Sequence, residues 1–288
     1  MKISGFTIIR NAVINDYPIV EAIRSILPVV DEMIVSIGES EDNTEELIRS
    51  IDSDKIKIHY STWDMSLRKG GKVLAVETDK AFQLISPDSE WAFYIQGDEV
   101  VHEKYHAIIR QAAEKYKDDQ LVEGLLFHYL HFYGTYDYVG DSRKWYNKEI
   151  RVIRNDKTIS SFRDAQGFRK GVQKLNVKLI DAYVYHYGWV KSPEKMGKKR
   201  KNVSVFWHGD SMEKVLSESD VFDFTSFDAL TRFDGTHPEV MQKRIKEKNW
   251  SLSLDISKKN FSFKNRLLYF IEKKTGRRLF SFKNYRII

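Results

Sequence analysis

Trp91-Ala-Phe-Tyr-Ile-Gln-Gly-Asp-Glu-Val100 joins an apolar run of strand length to two adjacent carboxylates, Asp98 and Glu99. The first five residues are apolar without alternation, as in a strand covered on both faces of an α/β sheet. Carboxylates just past such a strand are costly to bury unless a metal, a cation or hydrogen bonds compensate them. The stretch therefore predicts a strand end where a divalent metal and a phosphate can meet. A plainer reading makes Asp98 the cap of a helix over residues 102–117 and leaves Glu99 in solvent.

Working outward, residues 3–51 read as strand, helix, strand, helix. A first strand closes at Ile9 and runs into Arg10-Asn11. Ile19, Val20, Ile23, Ile26 and Leu27 follow at helical spacing, with Asp16 placed to cap them. A second strand, Glu32-Met-Ile-Val-Ser-Ile37, enters the loop Gly38-Glu-Ser-Glu-Asp-Asn-Thr44, where Asp42 and Glu45 have the spacing of a capping box. Strands that alternate with helices build parallel sheets, and ligands bind beyond the carboxyl ends of such strands. Arg10-Asn11, the 38–44 loop and Asp98-Glu99 all fall at that edge.

Taken in order, Ile9-Arg-Asn11, Ala22-Ile-Arg-Ser-Ile26, Val30-Asp-Glu-Met-Ile-Val35 and Ser40-Glu-Asp-Asn-Thr44 resemble the nucleotide-binding half of bacterial family 2 glycosyltransferases, which have the GT-A fold. The similarity continues through His131-Phe-Tyr-Gly134, Glu149-Ile-Arg-Val-Ile-Arg154, Phe162-Arg-Asp-Ala-Gln-Gly-Phe168 and Tyr185-His-Tyr-Gly-Trp189, about two thirds of the chain. It implies an α/β fold: a Rossmann-like, mostly parallel central sheet flanked by helices, with a helical, basic C-terminal extension. The implied organisation is a catalytic domain over residues 1–215, split into a nucleotide-binding half (1–100) and an acceptor half (101–215). Residues 216–288 then pack on it or face a membrane.

Two departures from the family pattern bear on the site. Ile37-Gly38 stands where the family has an acidic pair that contacts the nucleotide base, and Gln96 replaces the first Asp of Asp-x-Asp. The resemblance nonetheless implies donor binding by Arg10, Asn11, Asp42, Lys72, Gln96, Gly97 and Asp98. It implies a divalent metal, manganese or magnesium, on Asp98 and His186, and an inverting reaction with Asp164 as the base. Glycosyl transfer needs these parts, because the leaving diphosphate must be neutralised and the acceptor hydroxyl deprotonated. With one carboxylate fewer, the metal leans on the donor's own phosphates. Glu99, His131, Trp189 and Lys198 are further candidates. Against these roles stand ordinary ones: a surface salt bridge for Asp164 to Arg163 or Arg169, a core position for His186, and a solvated face for the run Lys195 to Lys201. The aromatic residues between Phe127 and Tyr146 suit pyranose faces, with the 134–143 loop as the expected acceptor contact.

A chain of 288 residues with 42% hydrophobic content buries a substantial core, and the lack of cysteine excludes a disulfide framework. The N-terminus enters a strand without the apolar segment of a signal peptide, so a cytoplasmic protein is expected. From Lys258 onward there are ten Lys and Arg against the single Glu272, a net +9 that leaves −3 on the rest of a chain totalling +6. Leu267, Leu268, Phe270 and Ile271 share a face of a basic helix in that tail, which predicts either packing on the body or peripheral contact with the inner membrane. Charge confined to the tail speaks against a nucleic-acid partner. The expected activity is therefore transfer of a hexose or related sugar from a nucleotide-diphosphate donor, a UDP-sugar first, to a saccharide or lipid-linked acceptor in polysaccharide biosynthesis. The alternatives are a non-catalytic saccharide-binding descendant of a transferase and a sugar nucleotidyltransferase. The latter lacks its glycine-rich phosphate loop after the first strand.

Overall fold

The computed structural model describes residues 1–67, 69–208 and 220–288, residues 207 and 208 by their backbone alone. The expected boundary between residues 215 and 216 lies outside the described residues. Strands β1 (Ile3–Ile9), β2 (Glu32–Gly38), β3 (Ile56–Ser61) and β4 (Trp91–Tyr94) form a parallel block in the order β3-β2-β1-β4. The sheet continues through β8 (Lys148–Arg154), β6 (Gly124–Gly134) and β11 (Gln173–Val190), with β8 antiparallel to both neighbours and β6 parallel to β11. Four of the six pairings on this central path are parallel. Short antiparallel additions flank this path: β5 (Glu99–Val101) on β11, β7 (Tyr138–Gly140) on β6, and the ribbon β9 (Ile159–Phe162) and β10 (Gly167–Lys170).

The unbroken apolar run of β4 follows from two cores. Trp91, Phe93 and Ile95 enter the core shared with α1 (Ile19–Ile26) and α4 (His106–Lys115). Ala92 and Tyr94 enter the opposite core, against Phe6, Phe82 and Phe168, under α3 (Lys72–Gln83). Each buried large side chain contributes about 1.5–3 kcal/mol, so both faces are strongly specified. Helix α5 (Pro193–His208) follows β11.

Several expected caps are not formed. Helix α1 starts behind Pro18 with no side-chain cap, and Asp16, at φ 51°, pairs with Arg244 and Lys195. Helix α2 (Thr44–Arg49) begins behind Asn43; Asp42 accepts from the amides of Thr44 and Ile14, and Glu45 turns to Arg49 and Tyr60, so the reciprocal box is absent. The helix expected from residue 102 starts at His106, after a 3-10 turn over Glu103–Tyr105 capped by His102. Among the described residues, the extension carries the helices α6 (Gln242–Lys246) and α7 (Phe263–Thr275), and also two strands. Of these, β12 (Leu230–Arg232) pairs with β7, and β13 (Tyr285–Ile287) lies parallel to β11. Among the described residues, no helix is long and apolar enough to cross a membrane.

Candidate active site

Chain order reverses between β1 and β4: from β1 the chain moves outward to β2 and β3, then returns to β4 on the other side. Such a reversal opens a crevice beyond the strand ends. Arg10-Asn11 closes one side of this crevice and Gln96-Gly97-Asp98 the other. The 38–44 loop is tied to the first side, with Asn11 Oδ1 accepting from the Glu41 amide at 2.8 Å and the Asn11 amide donating to Ser40 Oγ at 3.1 Å. Arg10 donates to the Glu39 carbonyl at 2.7 Å. Gly38 is required by Trp63, whose ring lies 2.4 Å from where a Cβ would stand, and Trp63 Nε1 is buried without a partner among the described residues. Lys72 is exposed at the first position of α3.

Asp98 is brought under β11 by the pairing of Glu99 with His186 and by a hydrogen bond from the Tyr187 amide to the Asp98 carbonyl at 2.8 Å. Its carboxylate meets two groups. Lys199 of α5, only 8% exposed, donates to Asp98 Oδ2 at 3.0 Å and to the Gly188 carbonyl at 3.0 Å. His186 Nε2 lies 3.6 Å from Asp98 Oδ1. Burial opposes the charge on Asp98, but the Lys199 ammonium outweighs it and holds the carboxyl well below the usual carboxylate range. Burial likewise opposes the Lys199 ammonium, which Tyr17 and Asp98 hold above the ordinary lysine value. Lys191, 1% exposed, donates to the Asp16 carbonyl and is pushed well down by burial and by Lys199. Gly188 has no room for a side chain: a Cβ would stand 2.5 Å from Asp98 Oδ2 and 2.7 Å from the His186 ring.

The two histidines fix each other's protons. His131 Nε2 donates to the Tyr146 carbonyl at 3.0 Å, and burial with His186 nearby pushes His131 well below its ordinary value, so it is neutral and its Nδ1 is an acceptor. His186 Nδ1, 3.3 Å away, is then the donor; burial lowers His186 below its ordinary value, and in the neutral ring Nε2 carries a lone pair facing Asp98 Oδ1. A bare imidazole nitrogen and a carboxylate oxygen converging in this way fit two ligands of a manganese or magnesium ion. Among the described residues no group of three His, Cys, Asp or Glu can hold a metal. An ion held there would share its carboxylate with the Lys199 ammonium.

The remaining candidates divide by depth. Glu99 is fully buried in a two-pronged pair with Arg151, at 2.7 and 2.5 Å, and also accepts from Tyr129 and from the Gln96 amide, so it anchors β8 to the crevice. Gln96 Nε2 donates to the Ala165 carbonyl at 3.0 Å and Arg151 to the Gln166 carbonyl at 3.0 Å, which docks the loop carrying Asp164 on Gln96 and β8. Arg163 and Ala165, flanking Asp164, adopt φ of 59° and 62°, a left-handed conformation costing roughly 1–2 kcal/mol each for a side-chain-bearing residue. Such strain accumulates at functional sites. Gly97 packs on Ile9. Trp189 packs among Tyr133, Trp145 and Phe222. Lys198 is exposed. Of the aromatic residues expected to meet a sugar, Phe127, Tyr129, Phe132, Tyr133 and Tyr136 are buried, whereas Tyr138, Trp145 and Tyr146 keep partial exposure.

Lys191, Gly188 and Arg151 are the site residues that the sequence reading missed; Lys199 entered it only within the run Lys195 to Lys201, where Lys198 was the candidate named. Lys199 lies three residues after buried Met196, on the inward face of α5. That spacing was the available signal.

No family model and no curated protein matches this chain. Among solved structures, it is similar to Staphylococcus aureus TarS at 16% identity and a TM-score of 0.42, covering 75% of this chain and 41% of that one. It is also similar to the 4-diphosphocytidyl-2C-methyl-D-erythritol synthase of Anaerococcus prevotii (13% identity, TM-score 0.40, 75% and 96% covered). A third likeness is to the glucosyl-3-phosphoglycerate synthase of Mycobacterium tuberculosis in complex with Mn2+, UDP and phosphoglyceric acid (19% identity, TM-score 0.30, 45% and 43% covered). These are likenesses of overall shape, and the chain spans less than half the length of TarS.

Proposed function

We propose that the protein is a glycosyltransferase that takes a sugar from a nucleoside-diphosphate donor, with inversion, and passes it to a hydroxyl of a saccharide or lipid-linked acceptor. The observation that carries this reading is the meeting of Asp98, His186 and the buried Lys199 ammonium at the crevice where the strand order reverses. The nucleotide lies along Arg10, Asn11 and the 38–44 loop, with Lys72 at its edge, and its diphosphate reaches Lys199. A divalent ion held by Asp98 and His186 supplies further positive charge to the leaving diphosphate when bound. Lys199 supplies a fixed cation that needs no reorganisation as that charge develops. Asp164, on its strained loop, takes the proton of the attacking hydroxyl, and Gln96 holds that loop in place. UDP-sugars are the first donors to test.

Calorimetric titration with a panel of nucleoside diphosphates and their sugar esters, with and without manganese, tests the reading. One base is expected to bind, more tightly with metal, and binding is expected to vanish in Asp98→Ala. If no nucleotide binds under either condition, the glycosyltransferase reading fails.

A further inference from the structure

A second pocket, of about 410 Å³, lies between the body and the C-terminal extension and is strongly basic. Arg143, Lys144, Lys148 and Arg163 line it from the body, and Lys264 and Arg278 from the tail. Among the described residues, Glu149 is the one carboxylate in its lining. Some of these cations already have partners: Arg143 and Arg278 share Glu272 at 2.6 and 3.7 Å, and Lys144 pairs with Asp228 at 2.7 Å. Among the described residues, Lys148, Arg163 and Lys264 have no carboxylate within 4.0 Å. Lys148 is half buried, and burial together with the Arg278 and Lys283 cations pushes its ammonium below the ordinary lysine value. A half-buried ammonium pressed by other cations is electrostatically incomplete, and an anion in the pocket completes it.

The pocket adjoins the Asp98 site through shared residues. Tyr146 lines it and packs edge-on against His131 at 4.4 Å. Gln166 lines it while its carbonyl accepts from Arg151, which holds Glu99. Arg163 and Gln166 bracket Asp164 in the chain, so the loop that carries this carboxylate forms part of the pocket wall.

We propose that this pocket binds a phosphate ester borne by the acceptor, through Lys148 with Lys264 and Arg163, so that the acceptor hydroxyl is presented to Asp164. The acceptor role rests on the glycosyltransferase reading above; the anion site does not. The phosphate is carried either by a soluble sugar or polyol ester or by a lipid headgroup, and the test separates the two.

Glycerol 3-phosphate is titrated calorimetrically into wild type, Lys148→Met and Lys264→Ala, and the same proteins are sedimented with phosphatidylglycerol and with phosphatidylcholine vesicles. Loss of one charge-assisted contact is expected to weaken binding about ten-fold in either variant. Glycerol phosphate binding that weakens in both variants supports a soluble ester. Sedimentation with anionic vesicles alone, lost in both variants, supports a headgroup. Phosphate binding that is absent in both arms, or indifferent to both substitutions, overturns the proposal. Lys264 is exposed, so its variant keeps the test valid if Lys148→Met fails to fold. Nucleotide titrations of the same variants separate the two proposals. Nucleotide binding without variant-sensitive phosphate binding sinks only the pocket, and the converse sinks the glycosyltransferase reading together with the acceptor role and leaves the anion site standing.

Discussion

Glu149 sits 2% exposed at the inner wall of the basic pocket, and burial, only partly offset by Arg151, raises its carboxyl to about 7. A carboxyl that holds its proton more tightly when folded makes the native state bind more protons between its unfolded value and about 7. Stability is therefore lost as the pH rises through that window, and the cost is complete above it. Glu149→Gln removes the titration, so its stability relative to wild type should rise between pH 5 and pH 8, approaching a gain of about 3 kcal/mol. Denaturant melts of both proteins across that range check this; a difference that does not change with pH would mean that Glu149 titrates normally. This residue, like Lys199, was invisible as a singular position in the sequence. Both stand in runs of charge, and a run read in one dimension has no depth: Lys198 and Lys199 are identical in composition, yet one is exposed and the other buried. The candidates that were legible, Asp98 and His186, stand where an apolar strand stops or an aromatic one continues, and there hydrophobicity itself marks depth.

Elements were more readable than residues, because a period of 2 or 3.6 extends over many positions and one misplaced cap does not erase it. The strands β1, β2 and β4 and the helices α1 and α2 lie where periodicity put them, while their caps at Asp16 and Asp42 were taken over by tertiary partners, Arg244 and the Ile14 amide. What periodicity could not give is how β8 enters the sheet antiparallel between β4 and β6, bringing Arg151 onto Glu99. That pair is fully buried, and removing one member leaves an uncompensated charge in the core. Arg151→Met should cost about 3–5 kcal/mol and loosen the Gln96–Glu99 turn. The double variant Arg151→Met with Glu99→Gln should recover part of that loss. Thermal melts of the single and double variants decide it: equal losses in both would show that Arg151 acts through packing and its carbonyl contacts, and not through charge.

At the scale of the whole molecule, the question is whether the basic tail is an arm or part of the body. Its composition allowed both, since a helix with basic and apolar residues interleaved suits a membrane surface as well as a protein one. The structure divides the tail accordingly. Helix α7 buries no residue and leaves Phe263 87% exposed, with Leu267 and Phe270 also turned to solvent. It is held by polar links: Arg143 to Glu272 at 2.6 Å, and Asp141 to Tyr269 and Lys273 at 2.5 and 2.7 Å. Beyond it the chain returns to the sheet, where β13 pairs with β11, and buried Asn284 accepts from Arg169 at 2.6 Å. Deleting residues 258–288 should therefore do more than remove charge: it strips a strand from β11, opens one side of the basic pocket and exposes an unpaired sheet edge. The truncated protein should melt at a lower temperature and aggregate on heating, whereas Phe263→Gln with Phe270→Gln should leave the melting temperature within a degree or two, because surface substitutions shift stability little. A truncation that stays soluble and melts like the full chain would make the tail an appended arm and leave β13 without a structural role.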